Sequence, residues 1–286
     1  MTLEQAIKKA TEHLTRAGVI SARLDAELLL AHIIGKDRTW IFTHVHDDLD
    51  TGNETAFQQL VDRRARREPL QYILGIQEFC GLSFKVTPDV LIPRPETELL
   101  VEAAAAFLKN ASRPTIVDLC TGSGCIAVTL AKESGSARIF AADRSAQALA
   151  VARENANIHG VAGQIRFLEG DLFQPFEELD IEEQVDVITA NPPYIEAREL
   201  TSLQPEVRDF EPEMALISGP EGTEIHQRII ARAPAFLRKN GALIMEMGIG
   251  QAEKVSAMAD ASGSYDKPEI LKDLAGIDRV IILQRN

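Results

Sequence analysis

The chain has 286 residues, 45% of them hydrophobic and 26% charged, the balance of a soluble globular protein with room for one large or two ordinary domains. Its formal net charge of −13 excludes non-specific nucleic-acid binding as the main activity, because duplex binders carry a basic surplus. No apolar run reaches the length of a membrane span, and the N-terminal residues read as an amphipathic helix rather than a signal peptide.

Three cysteines, Cys80, Cys120 and Cys125, fit a reducing, cytoplasmic setting and no disulfide framework. No second cysteine pair or suitably placed histidine accompanies Cys120 and Cys125, so they read as buried thiols and no metal is expected.

The N-terminal part is helical. Leu3, Ala6, Ile7, Ala10 and Leu14 keep helix spacing, with Thr2 and Gln5 in capping-box positions and Gly18 as the stop. Ser21 caps a second predicted helix ending at Gly35, and Asn53 a third carrying Phe57, Leu60 and Val61. The run Arg63-Arg64-Ala65-Arg66-Arg67 reads either as a solvated helix face or as a docking patch for an acidic partner. Next come two short predicted strands, one with Leu82, Phe84 and Val86 on its apolar face and one at Val90-Leu91-Ile92, separated by Pro88-Asp89. The expected organisation is a helical domain over 1–75, a hairpin linker over 76–92 and a larger domain over 93–286.

From Glu98 onward helix and strand patterns alternate. Strands are predicted at Thr115–Leu119, Ala137–Ala142, Gln164–Leu168, Val185–Ala190 and Ala242–Met247, each but the third followed by a helical stretch. Pro234 is a possible kink in the helix over 225–237. Ile270–Lys272 and Arg279–Leu283, joined around Gly276, predict an antiparallel pair at one edge. The class is α/β, a mostly parallel sheet with helices on both faces.

Two stretches carry chemistry. Strand one runs into Asp118-Leu119-Cys120-Thr121-Gly122-Ser123-Gly124, strand two ends at Asp143, and Asp171-Leu172 follows strand three. A dinucleotide loop would need a third glycine where Val128 stands, and the neighbouring acids would repel a pyrophosphate. Acids at three successive strand ends suit a cationic nucleoside with a ribose diol, which S-adenosylmethionine is. A plain strand-to-helix turn would account for the glycines but not for the acids.

The second stretch is Asn191-Pro192-Pro193-Tyr194 after the apolar strand 185–190. Two prolines cannot continue a sheet, so the chain leaves it in a rigid turn. The Asn191 amide oxygen and the Pro192 carbonyl then become acceptors at the carboxyl edge of the sheet, where ligands bind in such folds. That suits a grip on a planar –NH2 group. A simple Pro-Pro turn with Asn191 as a cap is the alternative.

Taken together, the loop from Asp118 to Gly124, Asp143, Asp171 and the Asn-Pro-Pro-Tyr tetrapeptide resemble the amino-methylating class of S-adenosylmethionine-dependent methyltransferases. Ile92-Pro93-Arg94-Pro95-Glu96-Thr97-Glu98, Glu211-Pro212, Glu246-Met247-Gly248 and Asp273-Leu274-Ala275-Gly276-Ile277-Asp278-Arg279-Val280 narrow the resemblance to the HemK-type release-factor N5-glutamine methyltransferases, over nearly the whole chain.

The resemblance implies a Rossmann-like class I methyltransferase fold with a seven-stranded sheet, and a substrate-recognition role for the helical domain. It implies S-adenosylmethionine bound by Cys120, Thr121, Gly122, Ser123, Gly124, Asp143, Asp171, Leu172 and Asn191. The glutamine of a class 1 peptide-chain release factor would be bound by Asn191, Pro192, Pro193 and Tyr194, with Asn191, Pro192 and Tyr194 catalytic. No metal, nucleic acid or membrane is implied, and a monomer is expected. Two departures stand out: Cys120 occupies a position where the family usually has glycine, and Leu172 one where relatives can carry an aromatic. Glutamine methylation of a ribosomal protein, N6-adenine methylation of DNA, and non-catalytic cofactor binding are the alternatives.

Overall fold

A computed structural model describes residues 1–286. Met1–Ile76 with Gln204–Phe210 forms one unit, and Gln77–Leu203 with Glu211–Asn286 forms a second.

In the first unit, α1 (Leu3–Arg16) begins with the reciprocal Thr2–Gln5 capping box and buries Leu3, Ala6, Ile7, Ala10 and Leu14. Helix α2 (Ala22–Ile34) ends at Gly35, whose φ of 64° lets its N–H close the last turn. Helix α3 (Arg38–Thr43) is capped by Asp37. Helix α4 (Thr51–Ala65) is capped by Asp50, not by Asn53 as the sequence suggested. Both the main-chain and side-chain N–H groups of Asn53 donate to Asp50, so the carboxylate is the cap and Asn53 its client. Helix α5 (Leu70–Leu74) completes the unit. Like α3, it is too short to announce itself by periodicity.

The hairpin lies earlier than its expected position. Its strands are β1 (Ile76–Phe79) and β2 (Leu82–Lys85), and Cys80 and Gly81 both turn with positive φ, the geometry a two-residue hairpin loop requires. Val90-Leu91-Ile92 is not a strand: the Val90 N–H turns back onto the Thr87 carbonyl and the Ile92 N–H points to the Glu211 carboxylate, so neither joins a ladder.

Then follow α6 (Glu98–Leu108), β3 (Thr115–Leu119), α7 (Cys125–Ser134), β4 (Arg138–Asp143), α8 (Ala146–Ile158), β5 (Ile165–Glu169) and β6 (Val185–Ala190). Next are β7 (Ile195–Glu196), α9 (Pro205–Arg208), which belongs to the first unit, β8 (Ile217–Gly219) and α10 (Glu224–Arg232). The chain closes with β9 (Leu237–Glu246), α11 (Ala252–Ser262), β10 (Glu269–Lys272) and β11 (Asp278–Gln284). Pro234 ends α10 rather than kinking it, because it sits in a separate 3-10 turn, Ala233–Ala235.

The main sheet has seven strands in the order β10-β11-β9-β6-β3-β4-β5, with only β10 and β11 antiparallel to their neighbours. Alternate residues feed two cores: Ile116, Ile139 and Val187 on one face, Val117, Phe140 and Ile188 on the other. Strand order reverses at β3, which pairs with β4 on one side and β6 on the other. That switch point opens a crevice at the carboxyl edge, and the ends of β3, β4, β5, β6 and β9 all converge there. No helix is long and apolar enough to cross a membrane.

Candidate active site

A cavity occupies this crevice, wholly within the second unit. The loop after β3 supplies Cys120, Thr121, Gly122 and Ser123 to its wall. Cys120 and Gly122 both hold positive φ, 56° and 54°. The bend turns the Gly122 N–H onto Asp143 at 2.9 Å, while the other oxygen of Asp143 accepts from Ser145 at 2.9 Å. Asp143 thus shapes the loop as well as lining the cavity. Burial pushes its pKa up against the pull of these N–H donors.

Cys120 is half-buried and lines the cavity despite its left-handed backbone, so the loop accommodates the thiol. Burial first, then the nearby aspartates, keep it protonated. Gly124 is not part of the wall. A Cβ there would lie 3.0 Å from the Cβ of Ala152, so this glycine lets α7 and α8 pack closely.

The three acids part company. Asp118 is fully buried, its oxygens receiving the Thr121 hydroxyl at 2.6 Å and the Thr189 hydroxyl at 2.8 Å, and it does not reach the cavity. Burial, only partly offset by these bonds, pushes its pKa up to about 7. Asp143 and Asp171 do line the cavity, as does Leu172, held at a φ of 51°. Asp171 pairs with Arg228 at 2.6 Å on the exposed rim. Asp89 and Arg144 are the other charged residues of the wall. Three carboxylates against one guanidinium suit a cation better than a polyphosphate.

On the opposite wall stand Asn191 and Pro193. The Asn191 side-chain amide donates to the Thr97 hydroxyl at 3.1 Å, which turns its oxygen away from Thr97. Thr97 in turn donates to Glu246 at 2.5 Å, and the Tyr194 hydroxyl donates to the other Glu246 oxygen at 3.2 Å. Gln251 donates to the Tyr194 carbonyl at 2.8 Å. Tyr194 is therefore tethered at both ends, and it and Pro192 frame the site without lining the cavity itself.

Glu246 is buried, which raises its pKa, while Thr97, Tyr194 and the charge of Arg279 pull it down. The His226 ring donates to the Glu246 carbonyl at 2.8 Å, and burial keeps that imidazole neutral.

Several contributors had no chemical signal in the sequence. Val90 and Leu91 form wall because they are not strand. Asn155, fully buried on α8, accepts from the Lys85 N–H and donates to the Lys85 and Ser123 carbonyls, so it ties the hairpin exit to the loop. An asparagine amid the alanines of an apolar helix face was the available sign.

Residues 5–75 match the PrmC N-terminal domain family and residues 95–205 the Methyltransferase small domain family. Among curated relatives, the release factor glutamine methyltransferase of Geobacter sulfurreducens is 42% identical over 98% of this chain and 95% of its own length. That of Moorella thermoacetica is 41% identical over 100% of this chain and 99% of its own. Among solved structures, the human Mettl16 catalytic domain in complex with a 3′UTR hairpin superposes with a TM-score of 0.58 at 16% identity, covering 78% of this chain and 81% of that one. A methyltransferase from Pyrococcus furiosus gives a TM-score of 0.51 at 16% identity, over 78% and 98% of the two chains. The structural likenesses show the class I methyltransferase fold.

Proposed function

This chain belongs to the release factor glutamine methyltransferase family, and we propose that it methylates the side-chain amide nitrogen (N5) of the glutamine in the Gly-Gly-Gln motif of class 1 peptide-chain release factors. S-adenosylmethionine, when bound, supplies the electrophilic methyl group. Its site is the acid-lined half of the cavity: Asp143 for the ribose diol, the Cys120–Ser123 turn for close backbone approach, and Leu172 for an apolar wall.

The observation that carries the reading is the orientation of Asn191. Its amide nitrogen is held by Thr97, so its oxygen is the end left for a substrate N–H in the cavity it shares with the loop. An amide nitrogen is a poor nucleophile because its lone pair is delocalised. Acceptors on its two N–H groups, the Asn191 oxygen and the Pro192 carbonyl, gain strength as positive charge develops there, so they stabilise the transition state more than the ground state. They also fix the nitrogen's direction of attack. The site needs no strong general base, since the nitrogen becomes acidic as it is alkylated.

Adenine in DNA presents a similar –NH2 group, but it would have to be flipped out, and the net charge of −13 opposes a nucleic-acid substrate. The helical first unit is read as the part that holds the protein substrate. Incubation with methyl-labelled S-adenosylmethionine and a purified release factor, followed by peptide mapping, tests the reading. Label is expected on the glutamine of Gly-Gly-Gln and absent when that glutamine is replaced by asparagine. Label appearing only with DNA, or only on a ribosomal protein, would overturn it.

A further inference from the structure

Hydrogen-bond polarity along Glu246, Thr97 and Asn191 runs in one direction. The Glu246 oxygen that faces Thr97 is an acceptor. The Thr97 hydroxyl has one proton, and at 2.5 Å from Glu246 that proton is committed to the carboxylate. What Thr97 offers Asn191, 3.1 Å away, is a lone pair. Only the NH2 end of the Asn191 amide can meet it, since the flipped amide would set oxygen against oxygen.

We propose that Thr97 and Glu246 are positioning residues for methyl transfer: the buried carboxylate, acting through the Thr97 hydroxyl, dictates which end of the Asn191 amide faces the substrate. The inference rests on the role given to Asn191 above. Both intermediaries are 1% exposed, so water cannot take over either contact. The same carboxylate accepts from the Tyr194 hydroxyl, so one buried group sets both ends of the tetrapeptide.

Burial shifts Glu246 toward its protonated form, but a proton on Oε1, which faces the Tyr194 hydroxyl, leaves Oε2 to accept from Thr97 in either ionisation state. Arg279, at the start of β11, draws Glu246 toward ionisation, as do the hydroxyls of Thr97 and Tyr194. Glu96, on the same turn as Thr97, opposes this, and His226 on α10 engages only the main-chain carbonyl and is neutral. Glu246 lies at the last position of β9, paired to Val280 on β11, and Thr97 ends a 3-10 turn, so neither partner can drift. A group that only filled space here would not need a carboxylate.

The test uses the full chain with Thr97→Val, which keeps the shape and removes the hydroxyl, Thr97→Ser, which keeps the hydroxyl, and Glu246→Gln, which can turn a donor toward Thr97. Single-turnover methylation of a Gly-Gly-Gln peptide is followed at saturating S-adenosylmethionine. Thr97→Val and Glu246→Gln are expected to lower the rate about 10- to 10²-fold, as for a mis-set catalytic contact. Cofactor affinity should stay within about twofold, and Thr97→Ser should restore most of the rate.

In parallel, the Asn191 side-chain NH2 protons, assigned by NMR from their loss in Asn191→Asp, should exchange slowly in the wild type and Thr97→Ser and fast in Thr97→Val. Unchanged rates in Thr97→Val, or equal exchange in all variants, would overturn the proposal. A wild-type protein that ignores the peptide would overturn the substrate reading instead, and the exchange measurement would still decide this one.

Discussion

The Arg94 guanidinium meets the Glu211 carboxylate at 2.6 Å, with the Glu211 side chain only 1% exposed. The Ile92 N–H approaches the same carboxylate at 3.4 Å. Burial raises the Glu211 pKa and Arg94 pulls it back. The Pro-Arg-Pro-Glu and Glu-Pro stretches, which carried resemblance but no chemistry in the sequence, are therefore two halves of one contact beside the cavity. Truncating one half leaves the other charge without its partner. Glu211→Ala should cost about 3 kcal/mol of stability, the usual loss when one member of a buried pair is removed. Adding Arg94→Ala should cost less than the sum of the two single changes in a denaturant-based double-mutant cycle.

Asp118 predicts a pH dependence of stability. Its pKa rises from 3.8 to about 7 on burial. Between those values the folded chain keeps a proton that the unfolded chain has released, so the stability this group contributes is full below pH 3.8 and is lost as pH rises through about 7. Asp143, Glu211 and Glu246 shift in the same direction. In the cofactor-free protein, Asp118→Asn should reduce the fall in Tm between pH 5 and pH 8, because the amide replaces a group that otherwise ionises inside the core. Equal pH slopes in wild type and variant would refute this.

The arginine run yields a third prediction, opposite in kind to the docking-patch alternative. Arg64 is buried and bonds Asp25 at 2.7 Å and Glu206 at 3.0 Å. Arg67 bonds Glu206 at 2.5 Å and Arg63 bonds Glu68 at 2.5 Å. These side chains hold the Gln204–Phe210 segment and the helices of the first unit together. Arg64→Ala should therefore destabilise by about 3 kcal/mol. Arg66→Glu, at a position with no ion pair, should change the denaturation midpoint little. If charge reversal at Arg64 altered only salt-dependent association, the pairs would not have this structural role.

How far the sequence could be read follows from the range of the interactions involved. The capping box at Thr2 and Gln5, the strands Thr115–Leu119 and Val185–Ala190, and the C-terminal antiparallel pair were legible because each is set by residues within a few positions. The Asn53 cap was misassigned because Asp50, three residues earlier, is an equally good capping residue. The hairpin was displaced because Val90 and Leu91 are apolar for a wall, not for a ladder. Glu246 holding Thr97 from 149 residues away, and Glu206 meeting Arg67 from 139 residues away, depend on topology that no local pattern encodes. For the same reason the acids Asp118, Asp143 and Asp171 look alike in sequence, while burial separates the first from the other two.

Asp143 is predicted to matter twice over. Its oxygens accept from Gly122 and Ser145, and it lines the proposed cofactor site. Asp143→Ala should weaken S-adenosylmethionine binding by about 1.5–3 kcal/mol through loss of a charged hydrogen bond alone. Release of the Gly122 turn adds to that. Calorimetry should give the larger loss for Asp143→Ala than for Asp171→Ala, since Asp171 is exposed and already engaged by Arg228. The reverse order would contradict the ribose assignment.

Asn191 bears most directly on the chemistry. Its amide oxygen is the acceptor that strengthens as the substrate nitrogen becomes charged, and its amide nitrogen is spent on Thr97. Asn191→Ala removes the acceptor and leaves one substrate N–H unpaired, so the rate should fall about 10²–10³-fold, as on loss of one preorganised polar contact. Asn191→Asp separates the two functions. It keeps an acceptor for the substrate but sets a carboxylate oxygen against Thr97, whose proton already belongs to Glu246. Thr97 would then have to choose between two carboxylates, so Asn191→Asp should retain only part of the activity, and more of it in combination with Glu246→Gln. The variants should fold, because Asn191 is only partly buried at the sheet edge. Single-turnover kinetics at saturating cofactor decide the point. A wild-type rate in Asn191→Ala would remove the amide-gripping step from the mechanism, whatever the affinity for the cofactor.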